Sequence, residues 1–189
     1  SAGKDKKETF TRLIKEKKLG ALAFIRNLRN MEQAGVDSKV IKAGFEDLDV
    51  SKVLPFRFLV AARHAPGFEG ELEKLLFRAA EERPKLKGKT IFVVDLSGSM
   101  GGSMLSGRSE LNRIDVACSL ATLARETCEE VAVYGTAGND GAERHATAKV
   151  PARRGFALAD ALKGQSRELG GGGIFLGQVT EYLREKEKD

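Results

Sequence analysis

Apolar residues recur at helical spacing through the first 84 positions, then give way to alternating strand and helix patterns. Phe10, Leu13 and Ile14 share one side of a helix predicted over 8–18, which Gly20 breaks. Leu22, Phe24, Ile25 and Leu28 continue the period over 21–31, and Gly35 ends that segment. Asp37 or Ser38 can cap a third helix holding Val40, Ile41 and Phe45, because a short side-chain oxygen there accepts an amide proton of the first turn. Pro55 suits the first turn of a fourth helix over 56–62, where a missing N–H costs nothing. Pro66 and Gly67 separate it from a fifth over 69–82 with Leu72, Leu75, Leu76 and Ala79, and Pro84 closes the series. Short helices joined by brief turns predict an α-helical array of antiparallel pairs. No fixed sequence period accompanies them, so repetition is not demonstrated.

Residues 85–89 read as a linker, and the pattern then changes. Ile91, Phe92, Val93 and Val94 run into Asp95, the signature of a strand over 90–95 buried on both faces, as in a parallel sheet covered by helices. A Gly/Ser-rich loop over 96–109 leads to a helix over 110–127 with Ser109 as its cap. A strand over 130–134, a turn at Asn139-Asp140-Gly141 and a strand over 144–150 read as a hairpin. Helices over 155–162 and 175–187 complete the chain. The expected organisation is an α-helical segment at 1–84, the linker, and an α/β, Rossmann-like domain at 90–189.

Composition narrows the function. With 41% hydrophobic and 31% charged residues the chain is that of an ordinary globular protein. No apolar run approaches the roughly 20 residues that span a bilayer, and the lysine-rich amino terminus has no signal-peptide core behind it. Cys118 and Cys128 lie ten residues apart, about 280° around a helix, so they neither pair nor share a metal readily. Both read as core fillers, and without a disulfide framework a reducing cytoplasm is the natural compartment. The net charge of +5 is uneven. Residues 1–90 carry 20 Lys and Arg against 13 Asp and Glu, whereas residues 91–189 carry 12 against 14. The basic half is the candidate for a polyanion such as RNA.

The chemistry concentrates at Asp95-Leu96-Ser97-Gly98-Ser99. One carboxylate and two hydroxyls at a strand's carboxyl end suit a hard cation such as Mg²⁺, and open α/β sheets bind ligands at that end. The plainer alternative is a strand closing in a solvated Asx/Ser turn. Gly88-Lys89-Thr90 lacks the upstream glycine of a P-loop and precedes a strand instead of following one, so it is not a phosphate cradle. Ser99, Asp140 and His145 stand in hydrolase order, but the predicted helix begins about ten residues after the serine, too late for a nucleophile elbow. His64 reads as a helix-end residue. No enzymatic activity is expected.

The Asp95-x-Ser97-x-Ser99 pattern resembles the opening of the metal-ion-dependent adhesion site of von Willebrand factor A domains. Residues 20–31, Gly-Ala-Leu-Ala-Phe-Ile-Arg-Asn-Leu-Arg-Asn-Met, and 54–63, Leu-Pro-Phe-Arg-Phe-Leu-Val-Ala-Ala-Arg, resemble the last helical pairs of the TROVE domain. That domain is the HEAT-like RNA-binding ring of the Ro ribonucleoprotein family, in which a von Willebrand A module follows the ring, the order found here. The resemblance implies binding of structured non-coding RNA: Y-like RNA on the outer surface and ends of misfolded RNA through the ring. It further implies a role in RNA maturation or quality control, with a ribonuclease tethered through the RNA. Arg26, Arg29 and Asn30 on one helix and Arg57 and Arg63 on another are then the expected RNA contacts. The competing expectation is that these arginines pair with acids such as Glu46 and Asp47. A Mg²⁺ ion would be held by Asp95, Ser97 and Ser99, although the threonine ligand usual in the family has no counterpart among 172–176. The β-α-β-β-α-α order matches the first half of an A domain and stops short of the second, so the chain reads as truncated. A Mg²⁺-dependent protein-binding module without an RNA role is the alternative.

Overall fold

The computed structural model describes residues 2–81, 83–102, 104, 106 and 111–188, with residues 2–4 as backbone. The chain divides into two compact units, Ser1–Arg83 and Pro84–Asp189.

The first unit is helical: α1 (Ala2–Lys15), α2 (Ala21–Gln33), α3 (Ser38–Gly44), α4 (Pro55–His64) and α5 (Glu69–Glu81), with a 3₁₀ turn at Pro66–Phe68 before α5. α1 begins six residues before the expected start and ends at Lys15. Its extra turns are lysine-rich, and lysine is a good helix former that periodicity of apolar residues does not detect. Asp37 is the cap of α3, its carboxylate accepting from the Lys39 N–H at 2.8 Å. Pro55 is the first residue of α4, as the missing amide predicts. α1 packs on α3, α2 on α3 and α4, and α4 on α5. Phe24, Phe45 and Phe68 meet at the centre, with centroids 5.0 Å apart for the edge-on first pair and 5.8 Å for the second. Such pairs add about 0.5–1.5 kcal/mol each beyond burial. Met31, Ile41, Phe58 and Leu72 are buried around them, whereas Leu22, expected on the apolar face, is exposed.

The α3–α4 connection is anchored by Arg78 of α5. Its Nη1 donates to the Glu46 carbonyl at 2.8 Å, and its Nη2 donates to the carbonyls of Phe45 and Leu48. A guanidinium presents several donors in a fixed fork and so can collect diverging carbonyls of one turn.

The second unit holds a three-stranded sheet in the order β1-β2-β3. β1 (Leu86–Asp95) runs parallel to β2 (Cys128–Asn139), with Asp95 opposite Thr136, and β2 runs antiparallel to β3 (Arg144–Lys149). β1 starts at Leu86, so residues expected as linker already pair with β2. The hairpin loop is Asp140–Glu143, with Glu143 in the left-handed region at φ 47°. The helices are α6 (Gly98–Gly101), α7 (Arg113–Glu126), α8 (Gly155–Glu168) and α9 (Leu176–Lys186).

Tyr134 meets Tyr182 of α9, while the next residue, Gly135, lies under Gln165 of α8. Successive strand residues point to opposite faces, so α9 covers one face and α8, with its partner α7, covers the other. β1 is an edge strand with only partial cover, which corrects the expectation of burial on both faces. Val94 is 7% exposed, but Val93 on the α9 face is 38% exposed.

The cap of α7 is Asn112. Its side chain accepts from the Asp115 N–H at 2.8 Å and Asp115 returns the bond to the Asn112 N–H at 3.2 Å, a reciprocal capping box. Ser109, the expected cap, lies outside the described residues, as do other residues of the 96–109 loop. Asp115 also pairs with Lys163 of α8 at 2.8 Å, tying α7 to α8. Cys118 and Cys128 are buried free thiols, the former pushed up to about 12 chiefly by burial. No helix among the described residues is long and apolar enough to cross a membrane.

Candidate functional site

Two constellations bear on function, one in each unit. In the helical unit, Phe24, Ile25, Leu28 and Met31 turn one side of α2 into the core, and Arg26, Arg29 and Asn30 stand exposed on the other. At about 100° per residue, Arg26 and Asn30 are about 40° apart and Arg29 about 60° to the far side of Arg26, so the three share one solvent face. Asn30 donates through Nδ2 to Asn27 Oδ1 at 2.9 Å, and Asn27 in turn donates to the Ala23 carbonyl at 2.8 Å, which fixes a polar ridge beside Arg26.

The acids expected to neutralise these arginines do not do so among the described residues. Asp47 pairs with Lys17 at 2.6 Å, and Glu46 makes no ion pair with either arginine among the described residues. Among the described residues, Arg26 and Arg29 form no ion pair. On α4 the expected pair does not converge: Arg57 and Arg63 are six residues apart, about 120° around the helix. The Arg57 guanidinium lies 5.0 Å from the Phe56 ring centroid. Phe56 was not singled out by sequence. Its signal was an aromatic at a half-exposed position of α4 next to a cation.

In the second unit, the carboxyl ends of β1 and β2 meet a glycine-rich loop. Asp95 Oδ1 accepts from the Ser97 N–H at 2.8 Å, and Ser97 Oγ lies 3.2 Å from Ser99 Oγ. Ser97 is 4% exposed, whereas Ser99 is open to solvent. The Leu96 N–H donates to the Thr136 carbonyl at 2.8 Å, and the Gly98 N–H to the Gly171 carbonyl at 2.8 Å. The loop around 170–173 therefore does run beside the serines, where the resemblance places a metal-ligating threonine, and it offers glycine.

The donor set bears on Mg²⁺ directly. Two hydroxyl oxygens 3.2 Å apart span close to one edge of an octahedron with bonds of about 2.1 Å. One Asp95 oxygen is already used by the Ser97 amide, so the carboxylate contributes through its other oxygen or through water. The same 3.2 Å is a hydrogen-bond distance between the two hydroxyls, and a Mg²⁺ ion there would be held by two protein oxygens with water completing its shell.

The hydrolase arrangement is not assembled. Ser99 Oγ faces Ser97, Asp140 Oδ1 accepts from the Gly173 N–H at 2.8 Å, and His145 Nδ1 lies 2.9 Å from Thr147 Oγ1. The three are bonded to other groups and not to one another.

A third cluster was invisible in the sequence. Glu187, just past the end of α9, accepts from Lys149 at 2.6 Å and from the Tyr134 hydroxyl, and lies 3.1 Å from Lys89. These donors, Lys149 foremost, hold its carboxyl down at about 2. Burial and the adjacent carboxylate push the Tyr134 phenol upward. The cluster joins β1, β2, β3 and α9, so its chemistry is structural.

A family model described as TROVE domain matches residues 1–132, taking in the helical unit, the Asp95–Ser99 loop and α7. No curated protein matches the chain.

Proposed function

The chain belongs to the TROVE-domain family, and from that premise we propose that it is a non-enzymatic ribonucleoprotein component whose helical unit carries the RNA. The observation that supports this most directly is the solvent face of α2, where Arg26 and Arg29 stand beside Asn30 without a carboxylate partner among the described residues. The arginines engage phosphates, which supply sequence-independent affinity, and Asn30 adds a hydrogen bond to sugar or base. Arg57 over Phe56 offers a flat surface for an unpaired base, and Arg63 extends the positive potential along α4. The RNA is structured non-coding RNA of the Y-like kind or the end of a misfolded RNA. The role is in maturation or quality control, and any ribonuclease is recruited through the RNA. The second unit is the opening of a von Willebrand A-type module.

Affinity for a structured RNA, measured by fluorescence anisotropy across a salt series, tests the reading. Reversing both charges with Arg26→Glu and Arg29→Glu should weaken binding at least tenfold. It should also flatten the slope of log affinity against log salt by about 1.4–1.8, two phosphates at about 0.7–0.9 each. Unchanged affinity and slope refute α2 as the contact surface.

A second reading rests on the 3.2 Å separation of the Ser97 and Ser99 hydroxyls. A Mg²⁺ ion held there, with Asp95 acting directly or through water, would leave coordination positions open to an acidic side chain of a protein partner. Titration calorimetry with MgCl₂ on the native chain and on Asp95→Ala decides it. Heat lost in the variant supports the site, and heat unchanged by it removes the reading.

A further inference from the structure

The glycine-rich loop does more than omit a ligand. We propose that residues 170–173 form a backbone strap that fixes the Asp95–Ser99 loop to the end of the sheet without a divalent cation, so that the order of this strand end is independent of metal. The proposal stands apart from the RNA reading and survives its failure.

Three hydrogen bonds from three separate segments converge on the strap. The Gly98 N–H donates to the Gly171 carbonyl at 2.8 Å, the Gly172 N–H to the Gly138 carbonyl at 2.8 Å, and the Gly173 N–H to Asp140 Oδ1 at 2.8 Å. They connect the serine loop after β1, the end of β2 and the hairpin loop. The path needs glycine at the first two positions of the turn. Gly170 and Gly171 hold φ of 84° and 72°, a region that disfavours side chains. At Gly172 a Cβ would collide with the Gly138 carbonyl, and at Gly98 a Cβ would sit 2.7 Å from the Gly171 carbonyl oxygen. Backbone lies directly on backbone here, so position 172 has no room to present a hydroxyl to a metal. In an adhesion-type site the ion gathers loops from different strands. In this chain amide-to-carbonyl bonds do that work, helped by the Asp95 carboxylate, which is turned inward onto the Ser97 N–H.

The test compares thermal unfolding in excess EDTA and in millimolar Mg²⁺, following tyrosine fluorescence, since Tyr134 and Tyr182 both lie in the second unit. The native midpoint should agree within about 1 °C in the two buffers, and Gly172→Ala should lower it by about 5–15 °C in both. A native midpoint that Mg²⁺ raises by more than about 3 °C, with the rise abolished in Asp95→Asn, shows that a cation organises the loop and overturns the proposal. So does a Gly172→Ala midpoint equal to the native one. Should Gly172→Ala fail to fold, amide exchange on the native chain in EDTA replaces it. The Gly98, Gly172 and Gly173 amides should exchange at least about tenfold more slowly than that of Gly171, and equal rates overturn the strap.

Discussion

Arg78→Ala removes the one side chain that gathers the carbonyls of Phe45, Glu46 and Leu48. Phe45 and Leu48 are 4% and 9% exposed, so the turn whose carbonyls Arg78 holds is the one that seats two core residues. Hydrogen bonds from a charged donor contribute about 1.5–3 kcal/mol, and these are half-buried for Phe45 and Leu48 and exposed for Glu46. Because the three bonds share one guanidinium they do not add fully, and the expected loss is about 2–3 kcal/mol. For a unit of this size each kcal/mol moves the midpoint by about 4–8 °C, so the helical transition should fall by about 10–20 °C. Urea unfolding followed by circular dichroism at about 222 nm reads the helices of both units, and tyrosine fluorescence, confined to the second unit, identifies that unit's share so that the remaining transition is the first unit's. Arg78→Lys keeps the charge but not the fork, and should recover less than half of the loss. If Arg78→Ala shifts the helical transition by less than about 0.5 kcal/mol, the guanidinium does not hold the turn and the reasoning fails.

Glu187 should make stability pH-dependent on the acid side. Its folded carboxyl sits at about 2, below an unfolded value of about 4.3, so its contribution is fully present above pH about 4.3 and is lost as pH falls toward 2. Glu187→Gln should therefore be less stable than the native chain at pH 7 and converge with it by about pH 2, measured as urea midpoints across pH. A gap that persists at the lowest pH contradicts the carboxylate's role. Cys118, fully buried with its thiol pushed up to about 12, should resist iodoacetamide in the native chain and react on denaturation. Peptide mass mapping that finds it alkylated under native conditions would show that α7 opens readily.

Much of the frame was readable because it depends on local rules. Pro55 at the start of α4, Asp37 at the cap of α3 and the apolar run of β1 all act over a few residues. The start of α7 was equally local and was misassigned. Asn112-x-x-Asp115 has capping-box spacing, and asparagine caps a helix as well as serine does. β2 extends to Asn139 because Gly135 and Gly138, which look like strand breakers, lie where Gln165 and the 170–173 loop pack against the strand. The partial exposure of Val93 follows from sheet order, which no local pattern encodes. Candidate sites divide the same way. Arg26, Arg29 and Asn30 share a face because helical geometry places them there, and Asp95, Ser97 and Ser99 adjoin because they adjoin in sequence. Arg57 and Arg63 were grouped by charge alone, and the helix turns them apart. Arg78 and Glu187 act across about 30 and 38 or more residues, beyond any sequence period.

RNA binding measured on three two-unit chains separates the two units' contributions: native, Arg26→Glu with Arg29→Glu, and Asp95→Ala, each with and without EDTA. Anisotropy with a structured RNA should show at least a tenfold loss for the double arginine variant. Asp95→Ala should bind like the native chain, and EDTA should change neither of those two by more than about twofold once ionic strength is matched. Equal binding by the arginine variant and the native chain, or loss of binding on Asp95→Ala or EDTA treatment, would contradict RNA recognition by the helical unit.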